Sequence, residues 1–300
     1  MIKVQNLTKK FEGFLALNNI TCTIPEGSIY GLIGSNGAGK STFLRLITGV
    51  YKADGGTVLI DDEPVWENES AKQKFIYVSD ELYFLPGASM ERMAQLYESI
   101  YKNFDYACYR NLAKKLNLNV FTNIANFSKG MKRQAAIILG IAARPKYIFF
   151  DETFDGLDPV VRTTIKSIIY EEVAERGATA IITSHSLREL EDTCDQLSLL
   201  HKGGLVFEKE LSELKTSLFK VQIALEGEYD SATFENLEII SFSKKGSVAN
   251  IIIRGTKEDT VKKLKEYNPI VLDILPLSLE EVFTYEMSAL GYYFKEGGVL

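Results

Sequence analysis

Apolar positions along the chain follow two patterns. Short continuous runs, "SIYGLIG" (28–34), "KFIYVS" (74–79), "KYIFFDE" (146–152) and "ATAIITSH" (178–185), predict buried strands. "DGGTVLIDD" (54–62) adds a turn and a strand. Phe43, Leu44 and Ile47, and later Val161, Ile165, Ile168, Ile169 and Val173, recur at three- and four-residue spacing and predict helix faces. Strands alternating with helices point to an α/β domain with a parallel sheet. Met93, Leu96, Tyr97 and Ile100 extend a helical pattern from Met90 to Asn117, and the stretch 81–144 reads as a helical subdomain inserted into that sheet.

Near residue 215 the texture changes. "FKVQIALE", "NLEIISFS" and "SVANIIIRG" are strand-like, "TKED" (256–259) and "SLEE" (278–281) look like capping boxes opening helices, and "IVLDIL" (270–275) is another strand. The expected organisation is an α/β domain over 1–218 and a small α+β accessory domain over 219–300.

"GSNGAGKS" (34–41) fits G-x-x-x-x-G-K-[ST] between a predicted strand and a predicted helix. Gly34, Ser35, Asn36, Gly37, Ala38 and Gly39 can wrap backbone N–H groups around a phosphate. Lys40 brings a positive charge to the outer phosphates, Ser41 a hydroxyl for magnesium, and the following helix its positive end. "YIFFDE" delivers two carboxylates to the end of a buried strand, where ligands bind in such sheets. Asp151 suits a magnesium shared with Ser41, and Glu152 suits a base for an attacking water. "FSKGMKRQ" (127–134) puts Ser128 where it caps a helix starting at Lys129, while Lys132 and Arg133 read as solvated surface.

Composition narrows the class. With 300 residues, 46% hydrophobic and 25% charged, the chain can bury a full core. A net charge of −6 argues against a nucleic-acid partner. Cys22, Cys108 and Cys194 form neither a disulfide framework nor a zinc spacing, which suits a reducing compartment. No signal-peptide core is visible, and no apolar run approaches the ~20 residues that span a bilayer.

The ordered set "GSNGAGKST", "FSKGMKRQ", "YIFFDETFDGLDP" and "TSHS" resembles ABC-type ATPases, the nucleotide-binding subunits of ATP-driven transporters, over roughly residues 1–215. The resemblance implies a P-loop NTPase fold of ABC type, with ATP and Mg2+ as cofactors. It makes Thr42 a further phosphate contact, Ser128 and Gly130 the signature, Asp158 part of the segment that crosses between subunits, His185 the switch that reads the terminal phosphate, and Phe11 the ring that stacks on adenine. Asp80, in "YVSD", stands where the family's glutamine approaches magnesium. Thr153 and Phe154 replace the usual "PT", and "SKGM" replaces "SGGQ".

The implied partners are a second ATPase subunit and a polytopic membrane permease, with the chain cytoplasmic and peripheral on the membrane's inner face. "ELYFLPGASM" (81–90) is the expected docking segment, and the tail "LPLSLEEVFTYEM" is similar to those of exporter ATPases. The alternative is a soluble ABC-type ATPase acting on nucleic acid, ribosomes or protein assembly.

Overall fold

The four buried runs become parallel neighbours in one sheet. The computed structural model describes residues 1–289, with 290–300, the end of the expected accessory domain, outside the described residues. The chain divides into two compact units, one over Met1–Glu208 and one beginning at Lys209.

In the first unit the chain runs through β1 (Ile2–Phe11), β2 (Phe14–Ile24), β3 (Ile29–Ile33), α1 (Lys40–Ile47), β4 (Gly55–Ile60), β5 (Glu63–Pro64), α2 (Glu69–Lys72) and β6 (Phe75–Val78). It continues through α3 (Met90–Ile100), α4 (Tyr106–Lys115), α5 (Lys129–Ala142), β7 (Tyr147–Asp151), α6 (Pro159–Arg176), β8 (Thr179–Ser184), α7 (Leu187–Leu190), β9 (Gln196–His201) and β10 (Gly204–Glu210). A six-stranded sheet has the order β10-β9-β3-β8-β7-β6, and a four-stranded sheet β2-β1-β4-β5. β9, β3, β8, β7 and β6 pair in parallel. Every residue of β3, β7 and β8 is buried, as expected of strands covered on both faces. Ile2, Leu7, Leu17 and Ile24 of the small sheet share one apolar cluster with Phe43, Leu44 and Ile47 of α1 and with Tyr30, Phe149 and Ile181 of the large sheet.

Parallel pairing puts the C-terminal ends of β3, β6, β7 and β8 on one edge of the sheet. The phosphate loop follows β3, Asp80 follows β6, Glu152 follows β7 and His185 follows β8. Motifs up to 151 residues apart in sequence therefore emerge side by side.

The helical pattern from Met90 to Asn117 is two helices rather than one. No glycine or proline interrupts it. Asp105 ends the run by capping α4 through the Cys108 N–H at 2.9 Å while binding Arg144 at 2.8 and 3.1 Å. A local cap, held by a tertiary ion pair, thus starts a second helix inside a continuous apolar pattern.

The second unit carries α8 (Leu211–Ser217), β11 (Leu218–Ala224), β12 (Glu238–Lys245), β13 (Val248–Arg254), α9 (Lys257–Lys265), β14 (Val271–Leu275) and α10 (Leu279–Ala289). Its antiparallel sheet has the order β12-β13-β11-β14, with Val221, Ile223, Ile251, Ile253, Phe234 and Leu264 in the core. Of the two expected capping boxes, "SLEE" forms: the Ser278 N–H donates to Glu281 at 2.9 Å and the Glu281 N–H to Ser278 Oγ at 3.2 Å. "TKED" does not, because the Thr256 hydroxyl donates to the Asp259 carboxylate at 2.9 Å and leaves the backbone uncapped.

Gly203, between β9 and β10, braces the phosphate loop. Its N–H donates to Ala38 O at 3.0 Å, and its carbonyl accepts from Asn18 N–H at 2.8 Å. Its φ is +77°, and a Cβ there would lie 2.5 Å from Ala16 O. Gly203→Ala is expected to destabilise the first unit by about 1–3 kcal/mol, a fall in Tm of roughly 2–10 °C by calorimetry; an unchanged Tm would contradict this bracing role.

Candidate functional site

Gly37 and Gly39, at φ +81° and +109°, turn the chain after β3 through conformations that side chains rarely adopt. At Gly39 a Cβ would also meet Leu17 at 2.7 Å. Folded this way, the loop surrounds the Lys40 ammonium, which is only 4% exposed. Lys40 Nζ donates to Gly34 O at 2.7 Å and Ser35 O at 3.2 Å, and it ion-pairs with Glu152 Oε1 at 2.9 Å. A buried cation needs such partners.

Asp151 is fully buried at the end of β7. Its carboxylate accepts from Ser41 Oγ at 3.1 Å, Thr183 Oγ1 at 2.9 Å and the Tyr77 hydroxyl at 2.7 Å. Burial pushes its carboxyl upward from the usual range, and these three donors oppose the rise. Glu152 is a non-glycine residue at φ +46°. That left-handed conformation is held from both sides: the Glu152 N–H donates to Thr183 Oγ1 at 3.0 Å, and its carbonyl accepts from Arg133 Nη1 at 2.7 Å. His185 Nδ1 lies 4.0 Å from Glu152 Oε2. The segment carrying it is fixed by Ser184 Oγ, which donates to Glu189 at 2.6 Å, while Arg162 ion-pairs with Glu189 at 3.2 Å.

A cleft of 270 Å³ opens over this constellation, lined by Phe11, Asn36, Gly37, Gly39, Lys40, Ser41, Thr42 and Glu152, together with Phe14 and Ala16. Phe11 is 39% exposed and meets Tyr51 edge-on at 5.5 Å. Gly34, Ser35 and Ala38 support the loop from behind. Ser128 and Gly130 do not line the cleft. Ser128 is exposed and caps α5, accepting from the Met131 N–H at 3.2 Å, and Gly130 lies against Gly156. Asp158 caps α6 through Val161 N–H at 3.0 Å, with Pro159 as the first helical residue. Asp80 faces Arg45 at 3.6 Å.

Arg133 is a correction: it is tied to Glu152 and is not merely solvated surface. Thr153 and Phe154, the replacements in the acidic motif, are core residues at 1% exposure each, with Phe154 stacked on Phe150. Tyr77, Thr183 and Arg45 escape sequence reading because their roles come from tertiary pairing. Phe14, only three residues beyond Phe11 across the β1–β2 turn, was legible as a second exposed ring.

The ABC transporter family model matches residues 17–155. The ABC transporter ATP-binding protein YtrB of Bacillus subtilis is 33% identical over 283 residues, covering 94% of this chain and 97% of that protein. This chain belongs to the ABC transporter ATP-binding family. It is an ABC-type ATPase with a P-loop NTPase fold. The lantibiotic transport ATP-binding protein SrtF of Streptococcus pyogenes is 31% identical over 75% of this chain and 99% of its own length. A solved ATP-binding subunit of an ABC transporter superposes with a TM-score of 0.66 at 26% identity, over 72% of this chain and 92% of that one. A dimeric bacterial ABC transporter cassette, MJ0796, shares the fold with a TM-score of 0.65 at 22% identity, over 70% of this chain and 99% of its own.

Thr183 is the joint between the Asp151 carboxylate and the Glu152 backbone of this ABC ATPase, since one hydroxyl donates to Asp151 and accepts from the Glu152 N–H. Thr183→Val keeps the shape and removes both bonds, so denaturant unfolding should show a loss of about 1–3 kcal/mol. Thr183→Ser should recover most of it; equal losses in the two variants would contradict the hydroxyl's role.

Proposed function

We propose that the chain is the ATP-hydrolysing subunit of an ABC exporter, working as a pair of ATPase subunits on a separate membrane permease. The observation that carries this reading is the linked set at the cleft: Lys40, Ser41 and Glu152 line it, Asp151 stands behind Ser41, and His185 lies beside Glu152. Phe11 stacks on adenine, and the loop from Gly34 to Thr42 cradles the phosphates. Lys40 neutralises charge on the outer phosphates. An arriving phosphate competes with Glu152 for Lys40, so binding itself releases Glu152 to take a proton from the attacking water. His185 contacts the terminal phosphate.

A hydroxyl and a carboxylate in contact form an all-oxygen donor set, and the buried Asp151 carboxylate is stabilised by added positive charge, so the residues fit Mg2+. Ser41 and Asp151 would hold it directly and Asp80 through water, with Arg45 balancing the Asp80 charge. Bound there, Mg2+ supplies charge neutralisation to the phosphates.

Ser128 and Gly130 stand outside the cleft at a helix start with free N–H groups. That supports a site completed by the partner's signature, each chain lending Ser128 and Gly130 to the other. Among the described residues no helix is long and apolar enough to cross a membrane. In this reading the chain is peripheral on the cytoplasmic face of the membrane, held there by the permease. Tyr83, 77% exposed in the segment after Asp80, is the proposed permease contact. The export direction rests on the tail that forms α10 and on the likeness to a lantibiotic transport ATPase.

Lys40→Ala is expected to abolish ATP turnover and weaken nucleotide binding. Ser128→Arg should abolish turnover while leaving nucleotide affinity of the isolated chain within about twofold, since the residue lies outside its own cleft. Full ATPase activity in the first variant would defeat the role given to the phosphate loop, and in the second the shared-site reading.

A further inference from the structure

The loop after β7 contributes a second carboxylate to His185. Glu152, Asp155 and His185 offer ligand atoms that all lie within 4.8 Å of one another. His185 Nδ1 is buried without a hydrogen-bond partner. It points between Asp155 Oδ2 at 3.6 Å and Glu152 Oε2 at 4.0 Å. The two acids are not equivalent. Glu152 is committed to Lys40 through its other oxygen. Asp155 has His185 as its only ion-pair partner among the described residues.

We propose that Asp155 is a positioning residue for the ATPase reaction: its carboxylate accepts the Nδ1 hydrogen of His185, fixing the ring's tautomer and rotation so that Nε2 is the nitrogen presented to nucleotide. The inference rests on the reading of His185 as a phosphate-contacting residue. The partner of one ring nitrogen decides what the other can do. A neutral imidazole free in water keeps its hydrogen mainly on Nε2, so a carboxylate at Nδ1 is what reverses that preference.

The fold supplies the geometry. The left-handed Glu152 turns the chain, and the Asp155 N–H closes the turn on Glu152 O at 3.3 Å. This brings a carboxylate three residues beyond the base back over the end of β8. Burial and the neighbouring Glu152 and Glu189 push the Asp155 carboxyl upward, while His185 and Arg133 pull it down. Charges of both signs therefore surround the pair.

The chain has only two histidines, His185 and His201, so imidazole 15N resonances of the labelled full-length protein are directly assignable, with His201→Gln as the assignment control. In nucleotide-free protein with a neutral ring, His185 should carry its hydrogen on Nδ1. Asp155→Ala should move it to Nε2, and Asp155→Asn, which keeps the size and loses the charge, should shift it in the same direction. Asp155→Ala should lower kcat for ATP about 10- to 100-fold, the cost typical of losing the partner that orients a metal-bound histidine, with KM little changed. A hydrogen on Nε2 in the unaltered chain, or the same tautomer in all three proteins, would overturn the proposal. Undiminished turnover in His185→Ala would instead overturn the phosphate-contacting role, while the tautomer result would still judge Asp155.

Discussion

The ion pair between the buried Lys40 and the half-buried Glu152 is the interaction around which the site is built. An ammonium with so little exposure is stable only where the chain brings oxygen atoms to it, and two of these are carbonyls of its own loop. The third is the Glu152 carboxylate. Everything that places Glu152 therefore also sets the electrostatics of the phosphate loop: the end of β7, the left-handed backbone, the Thr183 hydroxyl and the Arg133 guanidinium. A chain that binds anions through Lys40 must exchange one negative partner for another, which links ligand arrival to the state of the carboxylate beside it.

Layers of support surround that pair. Thr183 joins the Asp151 side chain to the Glu152 backbone, Tyr77 brings in β6, and Arg133 brings in the first turns of α5. The helix that begins at Ser128 is thus coupled through Arg133 to the loop that follows β7. A displacement of α5 would be felt at the Glu152 carbonyl, and a change at Glu152 would be felt at the exposed start of α5. This is a physical route between the cleft and the surface proposed above to meet a second subunit.

Much of the fold was legible because local pattern and tertiary role agree. The runs that became β3, β6 and β7 are apolar at nearly every position, β8 carries an apolar centre, and the phosphate loop, Asp80, Glu152 and His185 each follow one of these strands directly. What escaped was set by long-range pairing. The second helix starts at the Asp105 cap, a carboxylate that Arg144 also holds from 39 residues away and that no glycine or proline announces. Asp80 meets Arg45 of α1, and Thr183 meets residues 31 and 32 positions away. The two cap sequences in the second unit make the same point on a small scale: "SLEE" and "TKED" share a pattern, yet Thr256 chooses a side chain where Ser278 chooses the backbone.

The central claim is that Glu152 competes with nucleotide for Lys40 and is the base once released. Equilibrium ATP binding and steady-state turnover of Glu152→Gln in the full chain test both halves at once. Removing the charge and keeping the shape should tighten ATP binding while lowering turnover by roughly 100-fold or more. Weaker ATP binding, or turnover close to that of the unaltered chain, would contradict the account.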